Sequence, residues 1–140
     1  MTISLLAIGL ISILGQVVLL RELNVSFYGI ELIYLLAMGI WLFWTAAGTV
    51  IGRRFNSPSL KHIAVLFIIF GIAIPLDIAF IRSSRLLFGG MPGAYLTFFQ
   101  QIIVVFISIL PAGLLSGLLF QWPAKAFVTT GRTLAVAYAI

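Results

Sequence analysis

The sequence predicts an all-α fold: a polytopic membrane helix bundle of four transmembrane helices plus the start of a fifth. Three observations carry this: charge is scarce, the apolar residues form long unbroken runs, and polar residues gather between the runs. Of 140 residues, 63% are hydrophobic and 8% are charged, and the mean hydropathy is +1.26. A soluble domain carries roughly 25% charged residues because water meets it on every side. Too little charge is present here to coat a globule, so most of the surface must face lipid.

Each run is continuous rather than alternating, which excludes barrel strands of about 10 residues with period two. A helix also pairs its own backbone amides inside lipid. The first run, residues 2–20, measures about 28 Å as a helix, close to the roughly 30 Å hydrocarbon core. It lacks a basic leader and a small-x-small cleavage site and runs into Arg21-Glu22, so a retained span is expected rather than a signal peptide. A polar break of about eleven residues, 21–31, makes the first two spans antiparallel neighbours. The second span covers 32–51 and ends at Gly52-Arg53-Arg54; the third covers 63–81 and ends at Arg82-Ser83-Ser84-Arg85. The fourth, 95–120, contains Pro111, which predicts a kink or strong tilt. Residues 132–140 are apolar but too short to span, and read as the first turns of a fifth helix. All 140 residues form one transmembrane domain.

The formal net charge of +5 suits a positive-inside bias better than nucleic acid, since no basic run interleaves with aromatics. Arg53, Arg54, Lys61, Lys125 and Arg132 fall on one side of the predicted topology. Arg21, Arg82 and Arg85, with Glu22 and Glu31, fall on the other. The N-terminus and the 53–61 loop are therefore expected in the cytoplasm. With no cysteine and a single histidine, His62, thiolate and multi-histidine metal sites and haem attachment are excluded. No nucleotide-binding glycine loop and no nucleophile–base pair appears, so neither a cofactor nor a catalytic residue is predicted.

The candidate polar or amine site comprises Arg21, Glu22, Glu31, Asp77, Trp41 and Trp44. Arg21, Glu22 and Glu31 share the break after the first span. They either hold a cation or amine, or form an interfacial turn with Phe27 and Tyr28 in the aromatic belt. Asp77, beside Pro75, is the acid that lies well inside a span. A carboxylate at the bilayer centre costs roughly 2.5–3.5 kcal/mol on insertion scales, so it faces a cavity or a partner. It is either a proton or cation site, or a group that snorkels outward or pairs with Arg82. Trp41 and Trp44, one turn apart, either cradle a cation or pack between helices; Trp122 reads as an interfacial anchor. Gly48-x-x-x-Gly52 and Gly113-x-x-x-Gly117 are helix-packing motifs, because small residues let backbones approach. Gln16, Gln100 and Gln101 read as interhelical hydrogen-bond donors or as the lining of a polar cavity.

The stretch Gly15-Gln-Val-Val-Leu-Leu-Arg21-Glu22-Leu-Asn-Val-Ser-Phe-Tyr28-Gly29-Ile-Glu31-Leu resembles the membrane region of bacterial multi-span spermidine synthase-like proteins. There a first helix ends in a similar Leu-Arg-Glu-Leu followed by a Tyr-Gly-x-Glu-like turn. Trp41 to Arg53 and the closing Gly131-Arg132 with Ala137-Tyr138-Ala139 are similar too. Residues 15–54 carry the resemblance well and the rest thinly. Gly48 to Arg54 also resembles the loop after helix two of major facilitator transporters, but lacks the aspartate expected there.

The spermidine synthase-like resemblance implies aminopropyl transfer in a separate Rossmann-like domain, which this chain lacks. It leaves for this chain a membrane module for anchoring, amine transport or amine sensing in a bacterial inner membrane. The lipid bilayer is the expected partner, with further transmembrane helices or subunits and no nucleic acid. Two other readings stand beside it: a small structural subunit of a membrane complex, and half of a transporter-like bundle.

Overall fold

The computed structural model describes residues 2–54, 60–88 and 96–128. Four helices follow one another: α1 (Thr2–Ser26), α2 (Glu31–Arg54), α3 (Leu60–Leu87) and α4 (Phe98–Val128). Each is long and apolar enough to cross a membrane, so the chain is an all-α, multi-pass membrane protein, as its composition predicts. Residues 132–140, where a fifth helix is expected, lie outside the described residues.

α1, α2 and α3 outrun their predicted spans, and α4, which starts at Phe98 rather than residue 95, runs on past 120 to Val128; the polar ends explain why. An apolar run marks only the length that lipid demands, whereas backbone pairing continues into the interface until something stops it. At the end of α1, the predicted eleven-residue break shrinks to four residues, 27–30, because Arg21 to Ser26 stay helical. The stop is a Schellman closure. Gly29 N–H donates to the Asn24 carbonyl at 2.8 Å and Tyr28 N–H to that of Val25 at 3.5 Å. Tyr28 takes the left-handed position with φ +59°, and Gly29 follows with φ +73°. A side chain at that position costs on the order of 1–2 kcal/mol, so Tyr28 needs support from elsewhere.

α4 begins with one of the two bonds of a capping box. Thr97 N–H donates to Gln100 Oε1 at 3.1 Å, and Gln101 Nε2 donates to the Leu96 carbonyl at 2.8 Å. Gln100 and Gln101 therefore serve the start of their own helix, which corrects the expectation that they bridge helices. Gln16 does reach across, with Nε2 3.5 Å from Met38 Sδ on α2.

α4 is the organising helix and packs against all three others, most extensively against α2. Close contacts pair Gly48 with Gly117 and Gly52 with Gln121, so the residue numbers rise together and α2 and α4 run parallel. On the other side Gly15 meets Phe70 and Ile74 while Glu22 meets Arg82, so α1 and α3 are parallel as well. Large side chains such as Leu10, Leu35, Leu42 and Ile68 stay exposed. In a bilayer that is the favourable face, since lipid tails are as apolar as leucine.

Candidate functional site

Two regions hold the residues singled out by sequence, and they differ in chemistry. The first is the seam between α2 and α4. Ile33, Ala37, Ile40, Trp41, Gly48 and Gly52 are buried on α2, mostly at the three- and four-residue spacing of one helix face. Opposite them, Gly113 and Gly117 bring the α4 backbone into contact. A methyl on Gly117 would overlap the Thr45 carbonyl oxygen and lie 2.8 Å from Thr49 N. One on Gly48 would overlap the Leu114 carbonyl oxygen, and one on Gly113 would sit 2.6 Å from Trp44 Cβ. One on Gly52 would meet the Gln121 side chain at 3.1 Å. All four glycines thus line a single crossing.

Trp41 and Trp44 belong to the same seam. Trp41 is buried. The Trp44 ring lies 4.9 Å from the Phe106 ring, and its Nε1–H donates to the Phe106 carbonyl at 3.1 Å. The adjacent Ile107 carbonyl has lost its usual amide donor, because Pro111 sits four residues on. Trp44 therefore packs on a turn of α4 loosened by proline. At the end of the seam Lys125 Nζ donates to the Arg53 carbonyl at 2.8 Å and the Gly52 carbonyl at 3.3 Å, a cation closing the negative end of the α2 dipole. Trp122, expected at the interface, is buried on α4 three residues before Lys125, with the His62 ring edge-on at 6.3 Å.

The second region is the corner where α1 meets α3. Glu22 does not cluster with Arg21 and Glu31; it reaches α3. Arg82 Nε donates to Glu22 Oε2 and Arg82 Nη2 to Glu22 Oε1, both at 3.0 Å, a bidentate pair. Arg21 is exposed, and Glu31 sits exposed in the first turn of α2, where a carboxylate favours the helix N-terminus. The predicted trio is not a single cluster: Glu22 is committed to Arg82, with the Arg21 charge still close enough to act on it, and α2 starts beyond the turn. Arg85 supplies the support that Tyr28 needs. Its Nη1 donates to Tyr28 Oη at 3.0 Å, its Nη2 donates to the Ser26 carbonyl, and its guanidinium carbon lies 4.5 Å from the Tyr28 ring centre.

Asp77 lies further in along α3. It is 5% exposed, and its Oδ2 has no hydrogen-bond partner. Arg82, one of its predicted partners, turns to Glu22 instead, because residues five apart on a helix differ in direction by about 140°. Snorkelling is excluded by the burial. The structure thus separates the six polar candidates into an ion-paired carboxylate, an enclosed carboxyl, two packed tryptophans and two exposed charges. Among the described residues no group of three or more His, Cys, Asp or Glu side chains gathers for a metal. Sequence reading missed the contacts of Arg85 and offered Arg82 to Asp77 rather than to Glu22; the Arg82-Ser-Ser-Arg85 spacing, which puts both on adjoining turns, was the available signal.

No family model matches this chain, and no curated protein or solved structure is detectably similar to it.

Proposed function

We propose that this chain is the membrane anchor module of a spermidine synthase-like protein whose catalytic domain lies outside these 140 residues. One observation carries the proposal: residues of the resemblance supply the α1 half of the α1–α3 corner. Glu22 ties α1 to α3, and Tyr28 and Gly29 close α1 before Glu31 opens α2. Anchoring is favoured over amine transport or sensing because Arg82 already neutralises Glu22 and both tryptophans are spent on packing α2 against α4. Further transmembrane helices or subunits belong to the same reading.

An antibody raised against this chain tests it on native membranes. A band far above 15.3 kDa, large enough for an added soluble domain, is expected. A band at about that mass alone contradicts the anchor reading and favours a small structural subunit.

The proposed setting is a bacterial inner membrane with the N-terminus cytoplasmic. Arg53, Arg54, Lys61 and Lys125 share one end of the bundle with no acid among the described residues there, whereas Glu22 and Glu31 offset Arg21, Arg82 and Arg85 at the other. The chain has no cysteine, so a Lys61→Cys variant reports sidedness directly. Protection from an impermeant thiol reagent in intact cells is expected, and labelling from outside reverses the topology.

A further inference from the structure

Of the three acids in the chain, Glu22, Glu31 and Asp77, Asp77 is the one that the packing encloses. Leu66, Phe70, Ala73, Asp77, Ile81 and Ser84 are all buried, and their spacing places them on one face of α3. α3 packs against α4 and α1, with Phe70 of this face against Gly15 of α1, and Asp77 lies about 7.5 Å along the axis from Arg82.

Among the described residues no cation compensates it. On α3, Arg82 is bonded to Glu22 and Arg85 to Ser26 and Tyr28, while Lys61 and His62 lie four turns away at the opposite end. From α1 the ionisable groups are Arg21, which is exposed, and Glu22. From α4 the ionisable group is Lys125, which holds the end of α2. An ionised carboxylate left without a partner in such a place is strongly disfavoured.

The surroundings suit a proton better than a metal ion. Hard cations take six or more oxygen ligands, usually with several carboxylates, and Asp77 is a single acid. Other polar side chains are buried in the same bundle: Ser12 on α1 and Gln101, Ser108 and Ser116 on α4. The Ser108 and Ser116 hydroxyls donate to the Val105 and Ala112 carbonyls of their own helix, which leaves oxygen lone pairs free to accept. The α3 backbone is also weakened beside the acid. Pro75 has no N–H to offer the Gly71 carbonyl, and Gly71 has open space around it.

We propose that Asp77 is an exchangeable proton-binding site of the bundle, held as the neutral acid while α1, α3 and α4 are packed and opened to water by bending of α3 at Pro75. On opening, the carboxyl O–H bond breaks, its electron pair stays on the carboxylate, and the proton passes to water. This goes beyond the anchor reading and stands or falls separately from the size of the native protein.

Infrared spectroscopy of the chain in phosphatidylcholine–phosphatidylglycerol vesicles at neutral pH tests it. The double variant Glu22→Gln/Glu31→Gln leaves Asp77 as the last side-chain carboxyl, so assignment does not depend on an Asp77 variant folding. A carboxylic-acid C=O stretch that persists in the double variant, shifts after transfer to D2O and is lost in Asp77→Asn is the expected result. Absence of that stretch in the double variant overturns the proposal, as does a stretch that fails to shift in D2O.

Discussion

The α2–α4 seam and the α1–α3 corner join parallel helices in opposite ways. In the seam, backbone meets backbone: Gly117 faces Thr45, Thr49 and Gly48, with no side chain between to yield. In the corner, side chains do the joining. Glu22 holds Arg82, Arg85 holds the end of α1, and Gly15 rests against the tips of Phe70 and Ile74. The difference teaches where the bundle is rigid. Lipid gives no hydrophobic drive between helices, so association rests on close packing and polar links. Close backbone contact supplies the first and tolerates no change. Long side chains supply the second and can adjust, and the enclosed Asp77 lies on that adjustable side.

Substitutions that attack each joint should separate them. Gly117→Leu should have the largest effect, costing about 3 kcal/mol or more as an overpacked contact with no room to relax, read as loss of the folded fraction on titration with denaturing detergent. Glu22→Gln should act more gently. It removes the ion pair yet leaves the helices packed, so spin labels on cysteines placed at Leu86 and Val25 should report a broadened distance between the α1 and α3 ends, with helix content unchanged. If Glu22→Gln unfolds the chain as thoroughly as Gly117→Leu, the corner is as rigid as the seam and the contrast fails.

The spans were legible because lipid demands long apolar runs, and Leu32 to Ile51 or Ile63 to Ile81 admit no other reading. Their ends were not legible, since Arg21 to Ser26 look like a loop by polarity while the backbone there remains helical to the Schellman turn. That turn hides the first of its two left-handed residues, because Tyr28 as well as Gly29 has a positive φ. The Thr97-x-x-Gln100 cap was written in the sequence as a threonine followed three residues later by glutamine. The Glu22–Arg82 pair was not, since the two residues lie 60 apart and only the packing of α1 on α3 brings them together. Glycine spacing indicated close packing but carried no information on which helix would meet which.

The central claim, a backbone seam on one side and a yielding corner on the other, is tested most directly by three matched alanine substitutions. Gly48 would place its new methyl against the Leu114 backbone, Gly15 against the ring end of Phe70 at 2.8 Å, and Gly39 in open space. All three are glycines inside helices, so each gains similar helix propensity, up to about 1 kcal/mol. Unfolding free energies in detergent micelles should fall by about 2 kcal/mol for Gly48→Ala, change by less than about 1 kcal/mol for Gly15→Ala, and hold or rise slightly for Gly39→Ala. Equal losses at Gly48 and Gly15, or a stable Gly48→Ala chain, would contradict the account.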